Sequence, residues 1–117
     1  MNTNPDIHIE MQGSVAVVRL TRPTKRNALN DGLIASLRHI FENLPKEARA
    51  AVVAGEGEHF CAGLDLSELK ERDAGEGVYH SRSWHVALDR VQSGPVPVIA
   101  ALHGAVVGGG LELASAC

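Results

Sequence analysis

The hydrophobic pattern changes period several times along the chain, and each change marks a predicted element. Apolar and polar residues alternate over residues 7–12, which is typical of a half-buried strand. A Gly-Ser turn and the apolar run 15–20 predict a second strand, better buried, that forms a hairpin with the first. Beyond Asn30, which suits a helix N-cap, apolar residues recur at helical spacing as far as Leu44. Pro45 helps to end this predicted helix.

The second half of the chain alternates short apolar runs with amphipathic stretches. Unbroken apolar runs at 50–54 and 98–102 predict strands that are covered on both faces, as in α/β folds. We expect a short helix over 66–71, an acidic linker with glycines over 73–77, and a longer helix over 78–92. The apolar face of this longer helix comprises Trp84, Ala87, Leu88 and Val91. The pattern therefore predicts an α/β fold, and 117 residues suit one domain.

Composition narrows the class of protein. The chain is 44% hydrophobic, which is too apolar for a disordered chain, and a net charge of −3 gives no general attraction to nucleic acid or anionic membrane. No apolar run approaches the roughly 18 residues of a membrane span, and the polar, acidic start does not resemble a signal peptide. Two cysteines, Cys61 and Cys117, are too few for a disulfide framework. We expect a soluble, reduced, cytoplasmic protein.

The last residues, 107–117, read as the opening of an apolar helix of about two turns. So short a helix cannot bury its apolar face alone. We therefore expect the natural protein to continue beyond Cys117.

Gly108, Gly109 and Gly110 form the strongest local signal, between an apolar run and a helix. A glycine turn of this kind can expose amide groups at the positive end of a helix, which suits an anion or a developing oxyanion. The alternative is a tight turn in which helix and strand approach too closely for a Cβ. No Lys-Ser/Thr follows the glycines and the G-x-G-x-x-G spacing is absent, so neither a P-loop nor a dinucleotide fingerprint is predicted.

Glu112 lies in the first turn of that predicted helix, among apolar neighbours. Loss of water around such a carboxylate would raise its pKa toward that of a working acid or base. The alternative is a glutamate that faces water and is stabilised by the helix dipole.

The segment 60–66 is a second candidate turn that could present amide groups. Its Cys61 has no visible basic partner to make it a nucleophile, and the scattered histidines and cysteines predict no metal site. A basic cluster could hold phosphates or could be a solvated loop; it consists of Arg19, Arg22, Lys25 and Arg26.

Three segments in order resemble one known family. Residues 22–30 resemble the pattern R-P-x-x-x-N-A-L, and residues 60–66 resemble F-x-A-G-x-D-[LI]. Residues 97–113 resemble P-x-I-A-A-x-x-G-x-x-x-G-G-G-x-E-L. All three are typical of the crotonase, or enoyl-CoA hydratase/isomerase, superfamily, and residues 1–117 resemble the N-terminal part of a crotonase-like domain.

The resemblance implies a spiral of ββα turns, assembled as trimers or dimers of trimers, that binds a bent acyl-CoA. It implies that the amides of Leu64 and Gly109 hold the thioester carbonyl. Glu112 corresponds to the first of two catalytic glutamates, of which one activates water toward C3 while the other supplies a proton at C2. The resemblance also implies six contacts with the CoA moiety, from Lys25, Arg26, Ala28, Ala62, Asp65 and Leu66.

CoA would be part of the substrate, and the resemblance implies no further cofactor, no metal, no nucleic acid and no membrane. The second glutamate would lie beyond Cys117, so the reaction stays open. We expect syn hydration of a trans-2-enoyl-CoA, with a Δ3,Δ2-enoyl-CoA isomerase or a non-catalytic CoA-binding or assembly module as alternatives. His85 lies near the catalytic histidine of dehalogenating relatives, but these lack a glutamate at position 112, which favours a surface or interface histidine.

Overall fold

The computed structural model describes residues 4–68 and 73–117. Its four strands and three α-helices follow in the order β1 (Ile7–Gln12), β2 (Val15–Leu20), α1 (Asp31–Glu42), β3 (Ala50–Gly55), α2 (Ala74–Gln92), β4 (Val98–Ala100) and α3 (Gly109–Ala116). Two single turns of 3₁₀ helix lie at Pro23–Lys25 and Leu66–Glu68.

The strands form one sheet in the order β1-β2-β3-β4. The first pair is antiparallel, with Ile7 opposite Leu20, which confirms the predicted hairpin. The other two pairs are parallel, and the crossover connections carry α1 and α2, as parallel strands require. Helix α1 packs on α2, which in turn contacts α3. The fold is therefore α/β, as predicted.

A second layer of short segments lies beyond the carboxyl ends of β2, β3 and β4. Isolated parallel bridges join Leu29 to Leu64 and Cys61 to Val106. The Leu29 amide donates to the Gly63 carbonyl oxygen at 2.7 Å, and the Cys61 amide donates to that of Ala105 at 3.1 Å. The sequence pattern predicted 58–65 as a loop and 105–107 as an apolar, β-like run, with no pairing between them. They are instead stacked in register, and they position the candidate site.

The periodicity predicted for α1 is confirmed. The Asn30 side chain caps the helix, with its Oδ1 accepting from the Leu33 amide at 2.8 Å. The helix ends at Glu42 rather than Leu44, although Leu44 still packs against the core. Five side chains of the predicted apolar face are buried: Leu33, Ile34, Leu37, Ile40 and Phe41.

The predicted acidic linker over 73–77 is wrong, because α2 already begins at Ala74. The Asp73 side chain accepts from the Glu76 amide at 2.8 Å, and this cap outweighs the two glycines in the first turns. The predicted helix over 66–71 is a 3₁₀ turn as far as Glu68, and its remainder lies outside the described residues. The apolar face predicted for α2 packs inward as expected, with Ala87 and Val91 buried.

The last predicted strand is shorter and more exposed than expected. It ends at Ala100, and the side chains of Ile99 and Leu102 are 59% and 54% exposed. The reason is that β4 is the terminal strand of the described sheet and pairs with β3 over only three residues. In β3 itself, Ala51 and Val53 are buried while Val52 is only partly covered.

Candidate active site

Two backbone amides from distant parts of the chain lie next to each other. Gly63 precedes Leu64 in the second layer, and Gly109 is the first residue of α3. A Cβ built on Gly63 would lie 3.5 Å from the Gly109 nitrogen, and one built on Gly109 would lie 3.8 Å from the Leu64 nitrogen. Neither amide donates a hydrogen bond to any described residue. Two free donors at a helix N-terminus can hold an oxyanion.

The glycines around this pair serve close packing as well. Gly63 has a φ of 102°, and a Cβ there would lie 2.8 Å from the Val107 carbonyl oxygen. A Cβ on Gly110 would collide with the Cys61 carbonyl oxygen. Close approach is therefore observed at Gly110, while Gly109 has an amide with no acceptor among the described residues, and the anion site stays a prediction.

Glu112 lies one turn beyond Gly109 in α3, with its amide donating to the Gly108 carbonyl oxygen at 3.0 Å. Its side chain is exposed, and within the described chain its carboxylate has no hydrogen-bond partner. It borders an open cavity of about 390 Å³ together with Leu88, Gln92, Leu111, Ser115 and Ala116. The loss of water expected around Glu112 is therefore not provided by the described residues, because no described side chain covers it.

The buried side chain of Asn27 fixes the first loop of the site, which comprises residues 22–30. It is completely buried and has a φ of 57°, a left-handed conformation that asparagine tolerates better than most residues. Its Nδ2 donates to the carbonyl oxygens of Glu56 and His59 at 2.9 and 2.8 Å, and its Oδ1 accepts from the Arg22 amide at 2.9 Å. In the sequence, Asn27 is notable only as part of the R-P-x-x-x-N-A-L motif.

Arg22 ties this first loop to the segment that carries Leu64. Its Nη1 donates to the Ala28 carbonyl oxygen at 2.9 Å, and its Nη2 donates to Asp65 Oδ2 at 2.7 Å. The Ser67 hydroxyl donates to the other carboxylate oxygen at 2.7 Å. The hydrogen bond from Ser67, followed by that from Arg22, lowers the pKa of Asp65 to about 2. The guanidinium group of Arg22, predicted as a possible phosphate ligand, thus forms its hydrogen bonds within the protein.

The residues expected to contact CoA lie on the two segments that Arg22 joins, 22–30 and 60–66. The Ala62 amide donates to the Arg26 carbonyl oxygen at 3.0 Å, so these two residues are adjacent. Lys25 and Arg26 are exposed and form no ion pair with any described residue, whereas Arg19 pairs with Glu10. Ala28 and Ala62 are half-buried and Leu66 is 74% exposed, but the Asp65 side chain is buried against Arg22 and Ser67. Any contact from Asp65 would come from its main chain.

The other candidates of the sequence take no part in the amide pair. Cys61 is buried, its thiol donates to the Asn27 carbonyl oxygen at 3.1 Å, and burial raises the pKa of that thiol. His85 is exposed on α2, and its imidazole forms no hydrogen bond with the described residues. Across residues 4–68 and 73–117, no three His, Cys, Asp or Glu side chains lie close enough together to hold a metal. No helix in these ranges has the length and apolar character to cross a membrane.

Comparison with known proteins gives the family. Residues 10–117 match the family model described as enoyl-CoA hydratase/isomerase. A short-chain-enoyl-CoA hydratase of Clostridium acetobutylicum is 34% identical over 96% of this chain and 44% of its own length. The mitochondrial Delta(3,5)-Delta(2,4)-dienoyl-CoA isomerase of Mus musculus is 35% identical over 91% of this chain and 36% of its own. The chain thus spans less than half the length of these relatives.

Solved structures agree with these relatives. A candidate enoyl-CoA hydratase from Rhodopseudomonas palustris superposes with a TM-score of 0.94 and 55% identity, over 97% of this chain and 45% of that one. Another from Thermobifida fusca, solved in complex with acetoacetyl-CoA, superposes with a TM-score of 0.85 and 27% identity, over 97% of this chain and 49% of that one. The chain therefore belongs to the enoyl-CoA hydratase/isomerase family, the crotonase superfamily that its three motifs predicted.

Proposed function

We propose that this chain carries the oxyanion hole and the first catalytic carboxylate of an enoyl-CoA hydratase. The observation that carries the proposal is the adjacent pair of Leu64 and Gly109 amides, which have no acceptor among the described residues. Backbone amide groups are normally hydrogen-bonded to protein atoms or to water. A free pair at a helix N-terminus is expected where a ligand oxygen supplies the missing acceptor.

In the proposed reaction, water adds syn across the double bond of a trans-2-enoyl-CoA. The water oxygen bonds to C3 and a proton bonds to C2, and negative charge develops on the thioester oxygen between these events. Leu64 and Gly109 would stabilise that charge with their amides. Glu112, one helical turn beyond Gly109, would hold or accept a proton of the attacking water.

The CoA moiety would lie along the two segments that Arg22 joins, 22–30 and 60–66. Lys25 and Arg26 are exposed cations without a described ion-pair partner, which suits the phosphates of CoA. Ala28, Ala62 and Leu66 would contact the rest of the moiety, together with the main chain of Asp65. The complex of the Thermobifida fusca protein with acetoacetyl-CoA supports a CoA thioester as the ligand class. CoA enters as part of the substrate, and the proposed steps use no other cofactor.

A second candidate is an enoyl-CoA isomerase, in which one carboxylate moves a proton between C2 and C4. The observation that favours it is that Glu112 is the sole carboxylate among the described residues that border the cavity next to α3. One of the relatives is also named as a dienoyl-CoA isomerase. Both reactions need the same oxyanion hole, since both pass through an enolate of the thioester.

We also propose that the protein acts in fatty acid metabolism in the cytoplasm, as a homotrimer or a dimer of trimers. Exposed apolar side chains in and after β4 and in α3 support association, since burial of apolar surface favours protein–protein contact. They are Ile99, Leu102, Val107 and Leu111, each 54–59% exposed. Native mass spectrometry would report the assembly directly, and a monomer at micromolar concentration would contradict this part of the proposal.

The test of the reaction is an assay of the purified full-length protein with two substrates. Hydration of crotonyl-CoA is followed through the loss of enoyl-thioester absorbance. Isomerisation of trans-3-hexenoyl-CoA is followed through the appearance of the same absorbance. We expect turnover of crotonyl-CoA to 3-hydroxybutyryl-CoA. Turnover of the 3-enoyl substrate alone would favour the isomerase. Tight binding of acyl-CoA with turnover of neither substrate would indicate the non-catalytic CoA-binding module.

A further inference from the structure

The indole ring of Trp84 lies next to Gly109, one of the two residues of the amide pair. A Cβ built on Gly109 would lie 3.3 Å from Trp84 Cζ3, 3.4 Å from Leu29 Cδ1 and 3.8 Å from the Leu64 nitrogen. The six-membered edge of the indole therefore lies on the side of Gly109 that faces Leu64. The ring is half-buried, so part of its surface stays accessible beside these residues.

The ring is held in place from a second helix. Its Nε1 donates to Asp31 Oδ1 at 3.1 Å, and Asp31 is the first residue of α1. His80, one turn before Trp84 in α2, has its Nδ1 3.1 Å from the same oxygen. The His80 and Trp84 rings are tilted by 40° with centroids 5.5 Å apart. Contacts with Asp31 and His80 thus restrict rotation of the indole toward or away from Gly109.

On the basis of the proposed function, we propose that Trp84 is a specificity-determining residue that limits the acyl group beside the thioester carbonyl, and that Asp31 is its positioning residue. A carbonyl oxygen bound to both amides lies about 3 Å from each nitrogen. The C2 carbon is two bonds from that oxygen, so it enters the space that the indole edge borders. A straight chain passes the ring, whereas a branch at C2 meets it.

The test compares the binding of two saturated thioesters, which cannot be hydrated. Dissociation constants for butyryl-CoA and for 2,2-dimethylbutyryl-CoA are measured calorimetrically with wild type and Trp84→Ala. We expect the wild type to bind butyryl-CoA more tightly than the branched ligand. In Trp84→Ala, the ratio of the dissociation constant for 2,2-dimethylbutyryl-CoA to that for butyryl-CoA should fall by about tenfold or more. Removing the ring should change the constant for butyryl-CoA by much less than that for the branched ligand.

The role of Asp31 is tested by a matched pair of variants at an exposed position. Asp31→Asn and Asp31→Ala both remove the charge from the start of α1, but only asparagine keeps a side-chain oxygen for the Trp84 N–H. We expect Asp31→Asn to retain the wild-type ratio and Asp31→Ala to shift it in the direction of Trp84→Ala. Because the Asp31 side chain is 53% exposed, these variants test the proposal even if Trp84→Ala does not fold.

Three outcomes would overturn the proposal. An unchanged ratio in folded Trp84→Ala would show that the ring does not border the acyl group. Equal shifts in the two Asp31 variants would show that charge, rather than the hydrogen bond to Trp84, matters. Failure of the wild type to bind either thioester would refute the proposed function and this inference with it, a result distinct from binding with an unaltered ratio.

Discussion

The two halves of the candidate site, the amide pair and Glu112, are built in opposite ways. The amides of Leu64 and Gly109 lie between segments joined by main-chain hydrogen bonds and by buried polar side chains. Glu112 projects from α3 beside an open cavity, with no described partner. Backbone donors can be positioned by the local fold alone, whereas a working carboxylate depends on what surrounds it. Substitutions in the amide region should therefore alter stability and activity together, and substitution of Glu112 should alter activity alone.

The sharpest test of this contrast is Glu112→Gln, which keeps the shape of the side chain and removes its charge. We expect kcat with crotonyl-CoA to fall by about 10²–10⁴, the range for general acid–base catalysis, with little change in the affinity for CoA. The free energy of unfolding should stay within about 0.5 kcal/mol of wild type, as for exposed positions.

Ser115→Ala is the matched control, because Ser115 is also exposed and borders the same cavity. It should leave both kcat and stability unchanged. Full turnover by Glu112→Gln would remove Glu112 from both the hydratase and the isomerase mechanism.

The amide pair is tested by Gly109→Pro, which removes one donor at a helix position where proline is otherwise tolerated. We expect kcat to fall by about 10²–10³, the range for one oxyanion donor. Gly109→Ala is the control, because it adds a Cβ against Trp84 and Leu29 at 3.3 and 3.4 Å but keeps the amide. Both variants should lose some stability, and only the proline variant should lose most of its turnover.

Leu64→Ala tests the other donor by the opposite change to Gly109→Pro. It shortens the side chain at position 64 and leaves the amide in place. Its effect on kcat should be far milder than that of Gly109→Pro. Equal losses in these two variants would mean that the side chain at position 64, which is 37% exposed, matters more than the backbone.

Elements stabilised by local patterns could be predicted from the sequence. The hairpin, the apolar faces of α1 and α2, and the Asn30 cap each depend on residues within a few positions of one another. The second layer could not, because its bridges join Leu29 to Leu64 and Cys61 to Val106. Such single bridges between distant segments leave no periodic pattern in the sequence.

The candidate site divides in the same way. The glycine turn predicted an anion site, and three motifs indicated the family. The hydrogen bond from Arg22 to Asp65 could not be predicted, because Arg22 lies in a cluster of basic residues that all look alike in the sequence. The contact between Trp84 and Asp31 spans 53 residues, which no local pattern can encode. The asparagine at position 27 offered one signal that could have been used, since asparagine favours the left-handed conformation found there.

Asn27→Ala tests whether the amide region depends on its buried anchor. The substitution leaves the carbonyl oxygens of Glu56 and His59 without their donor and places alanine at a positive φ. We expect the free energy of unfolding in urea to fall by about 3 kcal/mol, since an unsatisfied buried polar group costs about 1–3 kcal/mol.

Asn43→Ala is the control for Asn27→Ala, because the Asn43 amide also donates to a carbonyl oxygen, that of His39, but at the surface. It should lower the free energy of unfolding by no more than about 1 kcal/mol. Similar losses in the two variants would show that burial of Asn27 adds nothing to its hydrogen bonds.

The smallest expected effect is the contribution of Asp65 to stability, which is confined to acid pH. Hydrogen bonds from Ser67 and Arg22 lower the pKa of this carboxyl from 3.8 to about 2 in the folded protein. A lowered folded pKa stabilises the protein above the unfolded value, and this contribution is lost as the pH falls from about 4 to about 2. The difference in urea midpoint between wild type and Asp65→Asn should therefore shrink over that range. Ser67→Ala removes the hydroxyl donor and keeps the donors from the Ser67 amide and Arg22, so its urea midpoint should differ less from wild type at neutral pH. Parallel curves for wild type and Asp65→Asn would exclude the ionised pair as the cause.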